Sequence, residues 1–219
     1  MSALLLGSIS VLADTSELQR EAFNRAFAEH GLDWEWSQEE YRDLLTSNGG
    51  RDRVAEYAAG RGETVDAEAV HATKSRLFQD RLREGAASVR PGVSETIAQA
   101  RAAGHRVALV TTTSAENLAA LDAGLGGLPA LRDFDLVVDA DQVEAGKPDP
   151  AAYLLALEKL GERPEDCVAV EDNLGGVESA RAAGIRVVAF PNANTQGHDF
   201  GSTTTVQQLD LDAVLPQAG

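Results

Sequence analysis

Ala100-Arg-Ala-Ala-Gly-His-Arg-Val-Ala-Leu-Val-Thr-Thr-Thr113 reads as the tail of a helix, a glycine stop, and a short apolar run that ends in hydroxyls. Its first eight residues recur almost unchanged as Ala180-Arg-Ala-Ala-Gly-Ile-Arg-Val187. Glycine just past a helix and an apolar run two residues later is the chemistry of a helix-to-strand turn. Working outward, apolar runs of four to six residues stand at Ala3–Leu6, Arg106–Val110, Phe134–Val138, Cys167–Val170 and Ile185–Phe190. Each is nearly continuous in apolar side chains, as strands covered on both faces are. Helical patterns separate them at Val93–Ala103, Ala115–Ala123, Pro150–Leu160 and Gly176–Ala183, with Asp149-Pro150 opening one helix and Gly161 ending it. This alternation predicts an α/β fold with a parallel, Rossmann-like sheet and right-handed crossovers.

Residues 15–87 break the alternation. Leu18, Ala22, Phe23, Ala26 and Phe27 form a helical stripe, more helix-length segments follow, and no strand pattern appears. The expected organisation is therefore an α/β core built from residues 1–14 and 88–219, with an all-α cap inserted over 15–87.

The 219 residues suffice for such a core without a disulfide or metal staple, and the single cysteine, Cys167, leaves neither available. Nineteen basic residues against 35 acidic ones give a net charge of −16. A surface of that sign repels nucleic acid and anionic membranes alike. The start lacks the basic, apolar pattern of a signal peptide, and no run of 18 apolar residues is present. A cytoplasmic location is expected, and a small metabolite is the expected partner.

In an open α/β sheet, ligands bind beyond the carboxyl ends of the strands. Those ends carry Thr111-Thr112-Thr113, then Gly146-Lys147-Pro148-Asp149-Pro150, then Glu171-Asp172-Asn173. Hydroxyls, one ammonium and two acids suit a phosphate with a hard divalent cation. In order and spacing the chain resembles the haloacid dehalogenase superfamily, and within it the β-phosphoglucomutase and sugar-phosphate phosphatase branch with a helical cap. The likeness includes Asp14-Thr15 and Glu21-Ala-Phe-Asn-Arg-Ala-Phe at the cap start. It implies that Thr111 and the Thr112 backbone hold a phosphoryl group, that Lys147 neutralises it, and that Asp172 with Glu171 holds Mg²⁺. Asn48, Arg51 and Arg53 fall where the family's cap meets the distal end of the substrate. Each also has a plainer reading: Thr111–Thr113 as a β-branched strand end, Asp172 and Asn173 as a helix cap, the arginines as surface charge.

One motif departs from the resemblance. The family carries Asp-x-Asp-Gly after its first strand, the first Asp as nucleophile and the second as acid/base. Here the stretch is Gly7-Ser8-Ile9-Ser10. Gly7 offers no nucleophile and Ile9 carries no proton. No histidine lies near in sequence to activate Ser8 or Ser10, Asp14 matches a hinge position, and the four histidines fit no metal spacing. The expectation is a phosphatase scaffold with little or no turnover that binds phosphate or a phosphorylated metabolite and, weakly, Mg²⁺. Two alternatives stand beside it: an active phosphatase using a rearranged first loop, and an interaction protein with a vestigial site.

Overall fold

The computed structural model describes residues 2–45, 49–126 and 131–215. In chain order its elements are β1 (Ala3–Leu6), α1 (Ile9–Leu12), α2 (Ser16–Glu29), α3 (Gln38–Leu44), α4 (Gly50–Arg61), α5 (Ala67–Arg83), α6 (Val93–Ala102), β2 (Arg106–Val110), α7 (Ala115–Gly124), β3 (Leu136–Val138), α8 (Ala151–Leu160), β4 (Cys167–Glu171), α9 (Leu174–Ala182), β5 (Arg186–Ala189), β6 (Thr204–Thr205) and α10 (Leu211–Val214). The strands form one parallel sheet in the order β3-β2-β1-β4-β5-β6. The fold is the α/β sheet the alternation predicts.

β1 lies at the centre, with Leu6 in register with Leu109 on one side and Val170 on the other. Because strand side chains alternate in direction, Leu4, Leu6, Leu109 and Val170 join one hydrophobic cluster while Ala3, Leu5, Ala108 and Ala169 join another. All four residues of β1 are fully buried, which is why its run is uniformly apolar. The two near-identical turns close in the same way. Gly104 (φ 81°) and Gly184 (φ 77°) take the left-handed conformation that stops α6 and α9. His105 N–H then returns to Ala100 O at 2.9 Å, and Ile185 N–H to Ala180 O at 3.0 Å.

Several boundaries shift by one or two residues, and three starts have a visible cause. β3 begins at Leu136, because Leu131–Asp133 winds a 3-10 turn ahead of it. α8 begins at Ala151, one residue after Pro150, and the Asp149 carboxylate accepts the Ala151 N–H at 2.9 Å. α9 begins at Leu174, since the Asn173 side chain accepts the Gly176 N–H at 2.9 Å and caps the helix there. The two-residue edge strand β6 carries no sequence signal of its own.

Between β1 and β2 the described residues from 15 to 87 hold four helices, α2 to α5, and no strand. Their centre is aromatic. Phe27 packs against Trp36 with ring centroids 4.7 Å apart, and Phe23 lies 4.9 Å from the same indole. The predicted stripe is confirmed at Ala22, Phe23, Ala26 and Phe27, all buried. Trp34 and Trp36 join it from the extended segment between α2 and α3.

Candidate functional site

A cavity of about 840 Å³ opens where the carboxyl ends of β1, β2 and β4 face α2, α4 and α5. Its core wall carries Ser8, Ile9, Thr111 to Ser114, Lys147 and Asp172; its opposite wall carries Phe23, Arg51, Arg53, His71 and Lys74.

The turn after β2 lines the cavity and leads into the amino end of α7. Thr111 N–H pairs with Val138 O at 2.9 Å, and its hydroxyl accepts the Thr113 N–H at 3.2 Å. Ser114 then caps the ten-residue α7. Thr112, Thr113 and Ser114 stay partly exposed at the amino end of that helix, where backbone N–H groups and the helix dipole favour negative charge. Asn117 ties the turn together, donating to Thr113 Oγ1 at 2.9 Å and accepting from Gln79 of α5 at 3.0 Å.

Lys147 borders this space but its three N–H groups have other partners. They reach Gly7 O, Val110 O at 2.7 Å and Glu171 Oε1 at 2.5 Å. The ammonium thus bridges the ends of β1, β2 and β4 while lining the cavity. Glu171 is fully buried between Lys147 and the Tyr153 hydroxyl, which donates to the same oxygen at 2.7 Å. Burial raises the Glu171 carboxyl above its ordinary range, against the pull of Lys147. Burial, reinforced by Glu171, pushes the Tyr153 phenol well up.

Gly7 explains how that carboxylate fits. A Cβ on Gly7 would lie 2.5 Å from the Tyr153 hydroxyl and closer still to Glu171. The volume of a side chain at position 7 is thus occupied by the Glu171 carboxylate.

Asp172 faces the cavity. Its Oδ1 accepts from Ser8 Oγ at 2.7 Å and Asn173 Nδ2 at 3.0 Å, and its Oδ2 accepts from Asn192 Nδ2 at 2.8 Å. With Gly7 bare and Glu171 turned toward Lys147, the residues as arranged do not fit Mg²⁺. That ion demands near-octahedral oxygen ligation, and here the core wall presents one carboxylate, Asp172, with both oxygens already accepting hydrogen bonds, while Asp52 lies on the opposite wall paired with Arg51. No group of three or more His, Cys, Asp or Glu among the described residues could hold a metal ion.

Ser8 is the partly exposed residue in an otherwise buried stretch from Ala3 to Ala13. Ser10, by contrast, is buried against Thr15 Oγ1 at 2.7 Å. Asp14 lines a separate cavity of about 320 Å³ with Arg90 and Asn192, away from Thr111 and Thr112.

On the opposite wall Arg53 is buried and donates to Leu44 O at 2.8 Å, while Arg51 is exposed and paired with Asp52 at 2.9 Å. Asn48 lies outside the described residues. The reading of the sequence overlooked Lys74, which is 4% exposed. Its ammonium donates to Gln19 Oε1 at 3.0 Å and sits 4.9 Å from the rings of both Phe23 and Phe78. Burial, then the nearby Arg53 charge, brings it down to about 7. His71 beside it falls to about 4 through burial and the charges of Lys74, Arg51 and Arg53, and so is neutral at pH 7. A signal was present: Lys74 is one of only three lysines in the chain.

Comparison with known proteins gives consistent relatives. Residues 10–184 match the model of the haloacid dehalogenase-like hydrolase family. Protein CbbY of Rhodobacter capsulatus is 41% identical over 100% of this chain and 97% of its own length. The phosphorylated carbohydrates phosphatase of Thermotoga maritima is 32% identical over 99% of both. A mutant of CbbY from Rhodobacter sphaeroides, solved in complex with xylulose-(1,5)bisphosphate, superposes with a TM-score of 0.85 at 38% identity, covering 95% of this chain and 94% of that one.

These relatives correct the expectation of a scaffold with little or no turnover. The chain is matched over nearly its whole length by a protein named a phosphorylated carbohydrates phosphatase and by a CbbY solved with a sugar bisphosphate. Gly7 and Ile9 lack the two carboxylates, while Thr111 to Ser114 and the hydrogen-bonded pair Ser8–Asp172 line the same cavity.

Proposed function

The chain belongs to the haloacid dehalogenase-like hydrolase family, and from that premise we propose that it is a cytoplasmic phosphatase acting on a phosphorylated sugar that bears a second anionic group. The observation that carries this reading is the division of one cavity into two anion-receiving walls. Thr111 to Ser114 and the start of α7 take the phosphoryl group that is removed. Lys74, with Arg53 and Arg51, takes the distal group. A buried ammonium that no carboxylate of the described residues neutralises is costly to fold; an anionic substrate offsets that cost on binding.

In this reading residues 15–87 act as a cap over a core of 1–14 and 88–219, and the sugar spans the two. No step of this reading depends on Mg²⁺. The bisphosphate bound by the CbbY relative makes pentose bisphosphates the first substrates to try.

Phosphate release tests the proposal directly. Xylulose 1,5-bisphosphate, the corresponding monophosphates and hexose 1-phosphates are assayed with chromatographically pure protein. A bisphosphate is expected to exceed its monophosphate in kcat/KM by roughly 10- to 100-fold, the worth of one charge-assisted contact of about 1.5–3 kcal/mol. Absence of release above blank from every sugar phosphate refutes it.

A further inference from the structure

A phosphatase needs an oxygen that attacks phosphorus, and position 7 supplies none. We propose that Ser8 Oγ is that nucleophile and that Asp172 is its proton acceptor, an inference that rests on the phosphatase reading above. The pair already has the required contact, since Ser8 Oγ–H points to Asp172 Oδ1 at 2.7 Å. A hydroxyl hydrogen-bonded to a carboxylate is the arrangement by which a weak oxygen nucleophile is activated. The two residues share the cavity wall with Thr111 and Thr112.

Alternatives in the same loop are excluded by geometry. Ser10 is buried and bonded to Thr15. Glu171 is fully buried behind Lys147 and Tyr153 and does not line the cavity. Asp14 opens on a different cavity. Ser8 is also held in place, because its Oγ accepts the Val11 N–H at 3.1 Å, while Asn173 donates to the same Asp172 Oδ1 and Asn192 to Oδ2.

The chemistry balances in two steps. Ser8 Oγ forms a bond to phosphorus as the bond from phosphorus to the sugar oxygen breaks. The hydroxyl proton passes to Asp172 and from it to the departing sugar oxygen, leaving phosphoserine and a sugar alcohol. Water, its proton taken by Asp172, then attacks the phosphoserine and releases inorganic phosphate. The same proton returns to Ser8 Oγ. No oxidant, reductant or second substrate is consumed.

Two variants test this against the same phosphate-release assay. Ser8→Asn keeps a side chain able to cap the turn and to donate to Asp172 but has no hydroxyl; Ser8→Thr keeps the hydroxyl. The expected result is a fall in kcat of at least about 10³-fold in Ser8→Asn with an unchanged melting curve. Ser8→Thr is expected to retain measurable turnover. Acid quenching of the wild-type protein during turnover should trap one phosphoryl group, mapped to Ser8 by peptide mass spectrometry and resistant to hydroxylamine. Wild-type turnover that Ser8→Asn retains within about threefold overturns the inference while leaving the phosphatase reading intact. A phosphoryl group trapped on any other residue overturns it equally. Absence of turnover in the wild-type protein overturns the phosphatase reading first, and this inference with it.

Discussion

Placing a side chain at position 7 should damage the protein through one identifiable collision. A Cβ on Gly7 would stand 2.5 Å from the Tyr153 hydroxyl and nearer still to the Glu171 carboxylate. The carboxylate cannot retreat, because a Cβ on Gly176, on its other side, would lie 2.5 Å from Glu171 Oε1. Glu171 sits in a slot between two glycines. Gly7→Ala therefore forces it out of contact with Lys147, where the pair is 2.5 Å apart with side-chain exposures of 6% and 0%. Overpacking costs about 1–3 kcal/mol, and leaving one member of a buried ion pair uncompensated costs about 3–5 kcal/mol. These two costs describe the same event and do not simply add, so the expected loss is about 3–5 kcal/mol. For a chain of this length that lowers Tm by roughly 6–20 °C. Urea denaturation followed by the fluorescence of Trp34 and Trp36, both buried, measures the loss. In a Glu171→Ala background the same Gly7→Ala change keeps only the contact with the Tyr153 hydroxyl, so it should cost at most about 1–3 kcal/mol, less than in the parent. A Gly7→Ala protein within about 0.5 kcal/mol of the parent refutes the reasoning. The same collision means that restoring aspartate at position 7 requires Glu171 to move first.

Lys74→Met should lower kcat/KM for a bisphosphate by roughly 10- to 100-fold and leave a monophosphate nearly unaffected, measured by phosphate release. The same change should stabilise the fold. Lys74 sits near 7 when folded and at 10.5 when unfolded, so the unfolded chain binds more protons between those values. The destabilising contribution, on the order of 5 kcal/mol, is complete below pH 7 and fades as pH rises to 10.5; denaturation across that window should show the gap to Lys74→Met closing. Binding of inorganic phosphate beside Lys74 at pH 8 should take up close to one proton per site. Calorimetry in two buffers of different ionisation enthalpy checks this, and zero uptake refutes it. Arg90→Met should cost about 3–5 kcal/mol in urea denaturation, because the buried guanidinium holds the carbonyls of Ser10, Phe190 and Pro191 together.

Local sequence carried the architecture because its signals are local. Two copies of one helix–glycine–strand turn and five short apolar runs sufficed for a parallel sheet, since burial on both faces leaves no other composition for such strands. The ends of β2 and β4 marked Thr111, Thr112 and Asp172 for the same reason: ligands collect where parallel strands stop. The sequence also showed by itself that Gly7 and Ile9 have lost the family's two aspartates, which is a matter of identity and not of geometry.

Only the tertiary structure decided what surrounds those losses. Ser8 and Asp172 are 164 positions apart, and nothing local in either stretch announces a 2.7 Å hydrogen bond. Lys147 looked like an anion ligand from its Gly-Lys-Pro turn, yet its partners are two carbonyls and a carboxylate on three different strands. Nothing in its local sequence marked Lys74 as buried, and the fold sets its ammonium against the Phe23 and Phe78 rings. Strand and helix patterns depend on neighbours a few residues away, whereas the role of a charged side chain depends on what the fold places against it, and for Lys147, Asp172 and Lys74 partners come from distant segments.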